Sequence, residues 1–160
     1  MSESNNSLES NFLLNNIKSK YIIVKIFENV QTNIFLKLIR YNKTFQKRLN
    51  KNIDNYKDYS KIDIEIFPEE EKYGDFINFD YYRNYYHIYF NDDEKEEKKN
   101  NYITKYDKFQ KIKIKIDYEV RSLYRLFKNC ECIKKINFTK FNGTNIINMS
   151  HMFADCSLLE

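Results

Sequence analysis

Three kinds of hydrophobic spacing follow one another along this chain of 160 residues. Apolar residues recur at steps of three and four up to about residue 49, which predicts helices. From residue 62 they alternate with polar residues, which predicts half-buried strands. Beyond residue 119 the sequence repeats itself with a period of 26 residues. The pattern therefore predicts an α+β fold that begins with helices, continues with strands and ends in a repeat.

The helical spacing follows a polar tail, residues 1–10, which we expect to be disordered. Ile23 and Phe27 belong to its first apolar stripe, and the polar residues 31–33 interrupt that stripe before a second one begins. Two amphipathic helices joined by a short polar turn form a helical hairpin. We therefore assign residues 11–57 to a helical hairpin.

This hairpin resembles the front of an F-box, in which a helix ending in an Ile-Phe pair precedes a turn and a helix with spaced apolar residues. The matching residues are Ile26, Phe27, Leu36, Ile39 and Phe45. The resemblance implies that these side chains dock to the linker protein of a ubiquitin ligase. The alternative is that the hairpin covers the end of the repeat region.

The middle of the chain, residues 58–110, is predicted to be a strand-rich connecting region. The polar residues 51–60, which include the start of this region, are expected to form a connection between the hairpin and the first strand. Isoleucine alternates with charged residues over 62–66, and aromatic residues alternate over 79–90, so each stretch predicts a strand. Between strands lies the segment NDDEKEEKKNN, residues 91–101, which predicts a charged and mobile surface loop.

The last region, residues 111–160, carries the repeat. The sequence KIKIKID predicts its first strand, and residues 120–130 are expected to form a helix that returns from this strand. Phe127 and Phe153 occupy equivalent positions of the two copies, 26 residues apart. The apolar positions expected to form the repeat core are Ile112, Ile114, Ile116, Leu123, Phe127, Cys130, Ile133, Ile136, Phe138, Met149, Met152, Phe153 and Cys156.

The run NFTKFNGTNIINMSHMFADCSLLE resembles the BspA-type leucine-rich repeat, also called DUF285-like. The matching residues are Phe138, Phe141, Asn142, Asn145, Ile146, Met149, Met152, Phe153, Cys156, Leu158 and Leu159. The resemblance implies a right-handed solenoid that serves protein contacts and has no catalytic residues. Because the next strand is due at the end of this sequence, we expect the chain to be a fragment of a longer repeat protein. The alternative is that a partner, or a second copy, covers an open repeat edge.

Charge and composition exclude several classes of protein. A formal net charge of +4, from 27 basic and 23 acidic residues, is mild for a dedicated nucleic-acid binder. The sequence has neither a signal peptide nor a stretch near the roughly 18 apolar residues of a membrane span. We therefore expect a cytoplasmic protein. Three cysteines without a secretory signal do not predict a disulfide framework.

Four side chains in the repeat are of types that bind zinc: Cys130, Cys132, His151 and Cys156. The repeat places Cys130 and Cys156 at equivalent positions, where a small buried apolar role explains both. We therefore predict no metal site, no cofactor and no catalytic residue.

Together these patterns predict a non-enzymatic protein-interaction module of the leucine-rich-repeat type, and one version of it is a substrate adaptor of a ubiquitin ligase. The alternative is binding of RNA or single-stranded nucleic acid through the Tyr-rich and Lys-rich strand faces. Besides the hairpin residues, the candidate contacts are an exposed basic ladder of Lys111, Lys113, Lys115, Lys134 and Lys135.

Overall fold

The computed structural model describes residues 14, 16–79, 83–143 and 145–160. The chain divides into two compact units, one up to Tyr59 and one from Ser60 onward. The first unit is helical, and the second contains all the strands. The predicted α+β class is confirmed, whereas the tail predicted for residues 1–10 lies outside the described residues.

Within the described residues, four named helices precede the first strand: α1 (Lys20–Glu28), α2 (Thr32–Tyr41), α3 (Lys43–Leu49) and α4 (Ile53–Ser60). The predicted hairpin of two helices is wrong because Asn42 interrupts the second helix. Its backbone is extended, and its side-chain oxygen accepts a hydrogen bond of 3.1 Å from the Phe45 N–H, which caps α3. The predicted connection over residues 51–60 is also wrong, since Asn52 accepts bonds from two N–H groups and starts α4.

The interior of the helical unit contains Ile23, Phe27 and Phe45, and the rings of the two phenylalanines meet edge to face with centroids 5.6 Å apart. Four residues assigned to partner docking by the F-box resemblance are buried: Phe27, Leu36, Ile39 and Phe45. Ile26 is half-buried. Four of these five side chains are therefore turned away from solvent in the folded unit, which does not favour the expected docking, and that docking stays a prediction.

The second unit is built on a four-stranded antiparallel sheet in the order β3-β5-β1-β6. Its strands are β1 (Ile62–Pro68), β3 (Tyr86–Phe90), β5 (Ile112–Ile116) and β6 (Ile133–Lys140), and β2 (Gly74–Asp75) pairs separately with β4 (Tyr102–Ile103). The strands predicted at 62–66 and 112–116 are confirmed. The aromatic strand begins only at Tyr86, because residues 83–85 form a 3-10 turn, and residues 80–82 lie outside the description.

The strands predicted for the first and second repeat copies, β5 and β6, are not neighbours. β1 lies between them and pairs antiparallel with both, so that Ile64 faces Ile114 on one side and Phe138 on the other. This strand order does not show the solenoid that the resemblance implies, because the strands of successive solenoid repeats are neighbours. The predicted region boundary at 110/111 falls within one compact unit.

One face of the sheet forms the main core, because successive side chains of a strand point to opposite faces. The isoleucines of β1 and β5 pack there against residues 120–133 and Met152. Burial of each isoleucine contributes roughly 1.5–3 kcal/mol. Three predicted core residues are instead exposed: Phe138 by 37%, Met149 by 51% and Phe153 by 41%.

The helix predicted over residues 120–130 is wrong. This segment consists of successive turns, in which the Leu126 N–H donates to the Leu123 carbonyl three residues earlier. Arg125 and Asn129 have φ angles of 55° and 59°. A right-handed helix needs negative φ at every residue, so these two positions exclude it. Within the described part of the chain, each helix falls short of the length and apolar character required to cross a bilayer.

Candidate functional site

Two segments of turns share one backbone course, and we call residues 119–130 the first coil and residues 145–156 the second coil. Arg125 and His151 have φ angles of 55° and 56°, and Asn129 and Asp155 have 59° and 60°. The members of each pair are 26 residues apart. Turn hydrogen bonds repeat with the same offset, since Leu126 N–H to Leu123 corresponds to Met152 N–H to Met149, both at 3.2 Å.

The coils lie side by side and run parallel. The N–H groups of alternate residues in the first coil donate to carbonyls of the second: Leu123 to Asn148 at 2.8 Å, Arg125 to Ser150 at 3.2 Å, Phe127 to Met152 at 2.9 Å and Asn129 to Ala154 at 2.9 Å. The rings of Phe127 and Phe153 stack with centroids 5.7 Å apart and planes 8° from parallel. Backbone bonds and aromatic stacking therefore join the two copies.

Asn78 covers the opposite side of the first coil. Its N–H donates to the Leu126 carbonyl at 2.7 Å, and its side-chain amide donates to the carbonyls of Arg125 at 3.1 Å and Lys128 at 2.7 Å. The first coil is thus bonded on both sides, to Asn78 and to the second coil. The role of Asn78 was not predictable from the sequence, because one asparagine among many does not stand out.

The second coil is bonded on its carbonyl side by the first coil, and its other side has no such partner within the described residues. The N–H groups of Met149, His151, Phe153 and Asp155 correspond to the four donors of the first coil, and no described residue accepts a hydrogen bond from them. Met149 and Phe153 are about half exposed, and the neighbouring Ile147 is 82% exposed. We call residues 149–155 of this side the open face. It combines a row of backbone donors with exposed apolar side chains.

Cys130 ends the first coil, Cys156 ends the second, and Cys132 lies two residues after the first coil. Cys130 and Cys132 are buried, and the half-buried Cys156 directs its thiol to the Phe127 carbonyl at 2.8 Å. Burial raises the pKa of the Cys132 thiol to about 11, and it also raises the pKa of Cys130 and of Cys156. Among the residues that the structure describes, no three His, Cys, Asp or Glu side chains are arranged to hold a metal ion.

The basic ladder expected to be exposed is instead covered by carboxylates. Lys111 lies 2.9 Å from both Glu65 and Asp92, and Glu94 bridges Lys113 and Lys115 at 2.6 Å and 2.5 Å. Hydrogen bonds from these two lysines lower the pKa of Glu94 to about 2. The segment 91–101, which the sequence predicts to be a mobile surface loop, supplies two of these carboxylates, Asp92 and Glu94.

The two remaining candidate lysines lie on β6. Lys134 pairs with Glu69 at 3.0 Å, and the Lys135 ammonium lies over the Phe67 ring, 6.0 Å from its centroid. The geometry thus separates the predicted contacts into buried hairpin residues, paired lysines and a partly exposed repeat. In the second coil, N–H groups without a described acceptor lie beside exposed apolar side chains. Comparisons with family models, with curated proteins and with solved structures found no match to this chain.

Proposed function

We propose that this chain is a non-enzymatic protein-interaction module that binds an extended segment of a partner protein on the open face. The observation that carries the proposal is the row of four N–H groups at Met149, His151, Phe153 and Asp155. Donors on alternate residues are suited to an added strand, whose carbonyls supply the acceptors. The exposed side chains of Met149 and Phe153 supply the apolar contacts.

We also propose that the two coils are successive turns of a leucine-rich-repeat solenoid, as the BspA resemblance implies. Support comes from the matching φ angles at Arg125 and His151 and from the repeated turn hydrogen bonds. In a solenoid each repeat contacts its neighbours through one recurring surface. The first coil binds the second through N–H groups on alternate residues. We therefore infer that the second coil binds a partner through its equivalent N–H groups.

If the chain is a ubiquitin-ligase adaptor, we assign its binding surface to the repeat and not to the hairpin, because Phe27 and Phe45 form the interior of the helical unit. Nucleic-acid binding has less support, since Lys111, Lys113 and Lys115 already pair with carboxylates. We therefore propose protein binding and not nucleic-acid binding.

Site-specific photocrosslinking in the native cell tests this proposal. A photoreactive amino acid replaces Ile147, which adjoins the open face, and in a control chain it replaces Tyr106, which is 80% exposed elsewhere in the second unit. We expect the Ile147 probe to crosslink a discrete partner that the Tyr106 probe does not. Phe153→Lys or Met149→Lys should abolish this crosslink, because a buried ammonium ion disrupts an apolar contact.

The matched control substitution is Tyr106→Lys, which adds the same charge away from the open face and should leave the crosslink unchanged. Circular dichroism establishes that each variant is folded. A crosslinked partner that persists in both the Phe153→Lys and the Met149→Lys variants would exclude the open face as the binding site. A crosslinked product of twice the chain mass would identify the occupant as a second copy.

A further inference from the structure

The outer face of the sheet, opposite the main core, carries a row of lysines. Lys113 of β5 lies between Tyr89 of β3 and Glu65 of β1, and Lys115 occupies the next outward position. Lys111 precedes β5 and completes the row, which we call the lysine ladder. Residues two apart on a strand are separated by about 6.6 Å. The ladder therefore presents ammonium groups at a regular spacing.

An acidic segment of the same chain lies across this ladder, and we call residues 91–99 the strap. Asp92 pairs with Lys111 at 2.9 Å, and Glu94 contacts Lys113 at 2.6 Å and Lys115 at 2.5 Å. The lysine side chains are only 21%, 24% and 32% exposed. Two carboxylates that are two residues apart thus form ion pairs with all three lysines of the ladder.

Both ends of the strap are tied to the unit by backbone groups. The Asn91 N–H donates to the Lys111 carbonyl at 2.7 Å, and the Lys98 N–H donates to the Ile88 carbonyl at 2.8 Å. Arg83 adds a hydrogen bond to the Lys99 carbonyl at 2.9 Å. The ends therefore hold the strap to the strands that flank the ladder.

The middle of the strap has one long backbone bond, from the Asp93 N–H to the Phe90 carbonyl at 3.4 Å, and is otherwise held by ion pairs, including that of Glu97 with His87 at 3.4 Å. Its described contacts with the ladder are the ion pairs of Asp92 and Glu94. Ion pairs with exposed carboxylates are weak and are screened by salt. The middle of the strap can therefore leave the ladder while its two ends stay bonded.

We propose that the lysine ladder is a binding site for an acidic peptide segment of a partner protein and that the strap masks this site until such a segment displaces it. The proposal rests on charge complementarity, because the strap already shows that carboxylates two residues apart can form ion pairs with the lysines of the ladder. The site is independent of the open face, and failure of one proposal leaves the other intact.

The same face is poorly suited to nucleic acid. The Lys115 ammonium lies over the Tyr89 ring, 5.8 Å from its centroid, so this ring is not free to stack on a base. Glu65 stands 2.9 Å from Lys111 and presents negative charge to an approaching phosphate. A peptide chain, which can bring basic as well as acidic side chains, fits this mixed surface better.

The test compares two variants of the full chain that lose the same number of carboxylates. Asp92→Asn with Glu94→Gln removes the strap's ion pairs, whereas Glu70→Gln with Glu71→Gln removes two exposed carboxylates elsewhere. The probe is a fluorescent peptide of the strap sequence NDDEKEE. Because masking lowers apparent affinity by the fraction of open sites, we expect the strap variant to bind at least about tenfold more tightly than the native chain and the control.

Added Lys113→Gln and Lys115→Gln should abolish this gain, and salt should weaken binding. If the unmasked variant and the control bind the peptide equally, the ladder is not a binding site. Equal or tighter binding of single-stranded poly(U) by the unmasked variant would also overturn the proposal, in favour of nucleic acid. Circular dichroism monitors folding, and Glu94→Gln alone is the milder variant, for which the same direction of change is required.

Discussion

The first and second coils follow the same backbone course but have different surroundings. In the first coil Leu123 and Phe127 are fully buried, whereas their equivalents Met149 and Phe153 are about half exposed. The first coil is bonded at its carbonyls by Asn78 and at its N–H groups by the second coil, whereas the second coil is bonded at its carbonyls by the first coil and has no described acceptor for the equivalent N–H groups. The repeated sequence therefore determines the local conformation, while neighbouring segments determine burial. Equivalent residues should therefore differ in what they contribute to stability.

The largest expected difference concerns the stacked phenylalanines. Phe127→Ala should lower the free energy of unfolding by about 3–5 kcal/mol, because it leaves a cavity in the main core. Phe153→Ala should cost less than about 2 kcal/mol, since its ring is partly in water already. Urea denaturation of the two variants, followed by circular dichroism, measures both values.

Equal losses in these two variants would contradict the comparison. They would mean that Phe153 is as well packed as Phe127 and that the second coil has no open face. The control is Tyr106→Ala, which removes an exposed aromatic ring elsewhere in the second unit and should change stability little.

The next difference concerns the thiols. Cys156 is half-buried and Cys130 is buried, and burial raises the pKa of both. Since the thiolate is the reactive form and must be reached by the reagent, Cys156 should react with iodoacetamide at least about tenfold faster than Cys130. Mass spectrometry of labelled peptides at successive times measures the two rates.

The pH dependence of labelling sharpens this prediction. A thiol of raised pKa is protonated at neutral pH and becomes thiolate as the pH rises, so every rate should increase with pH. For Cys132, whose pKa is about 11, the rate should still be rising at pH 10. Faster labelling of Cys130 than of Cys156 in the folded chain would reverse the order of burial that we describe.

A smaller effect should be the same in both coils. Asn129 and Asp155 are exposed and have φ angles of 59° and 60°, which alanine tolerates poorly. Asn129→Ala and Asp155→Ala should each lower stability by about 1 kcal/mol. Thermal denaturation measures both losses, and the glycine variants at the same positions should lose less. A loss confined to Asn129 would show that the shared backbone course carries strain in one copy only.

Much of the sheet was predictable from the sequence, because alternation with a period of two is a direct consequence of strand geometry. The strands around Ile64 and Ile114 were placed correctly for this reason. Their order in the sheet was not predictable. The insertion of β1 between β5 and β6 depends on long-range pairing, which no local pattern encodes.

The coils show why a periodic pattern can mislead. Val120, Leu123, Phe127 and Cys130 are spaced three and four residues apart, as in a helix, yet they line one side of a chain of turns. The 26-residue repeat was visible, but the positive φ angle at Arg125 was not, since arginine does not favour it, and the histidine at the equivalent position 151 is only enriched in this conformation. Asn42 and Asn52 were likewise missed as helix caps because asparagine is so frequent in this chain.

The smallest change in stability is expected at Ile147, whose equivalent in the first coil is the exposed Arg121. Ile147→Arg makes the two coils alike at this position, and it should change the free energy of unfolding by less than about 0.5 kcal/mol, because the isoleucine is 82% exposed. The same variant should lower capture of the partner that crosslinks beside the open face, since it replaces an apolar contact by a solvated charge. Thermal denaturation measures the first effect, and affinity capture of the partner without a photoreactive residue measures the second, because the probe and the arginine would occupy the same position. A loss above 1 kcal/mol would place Ile147 in a packed site and remove it from the proposed binding surface.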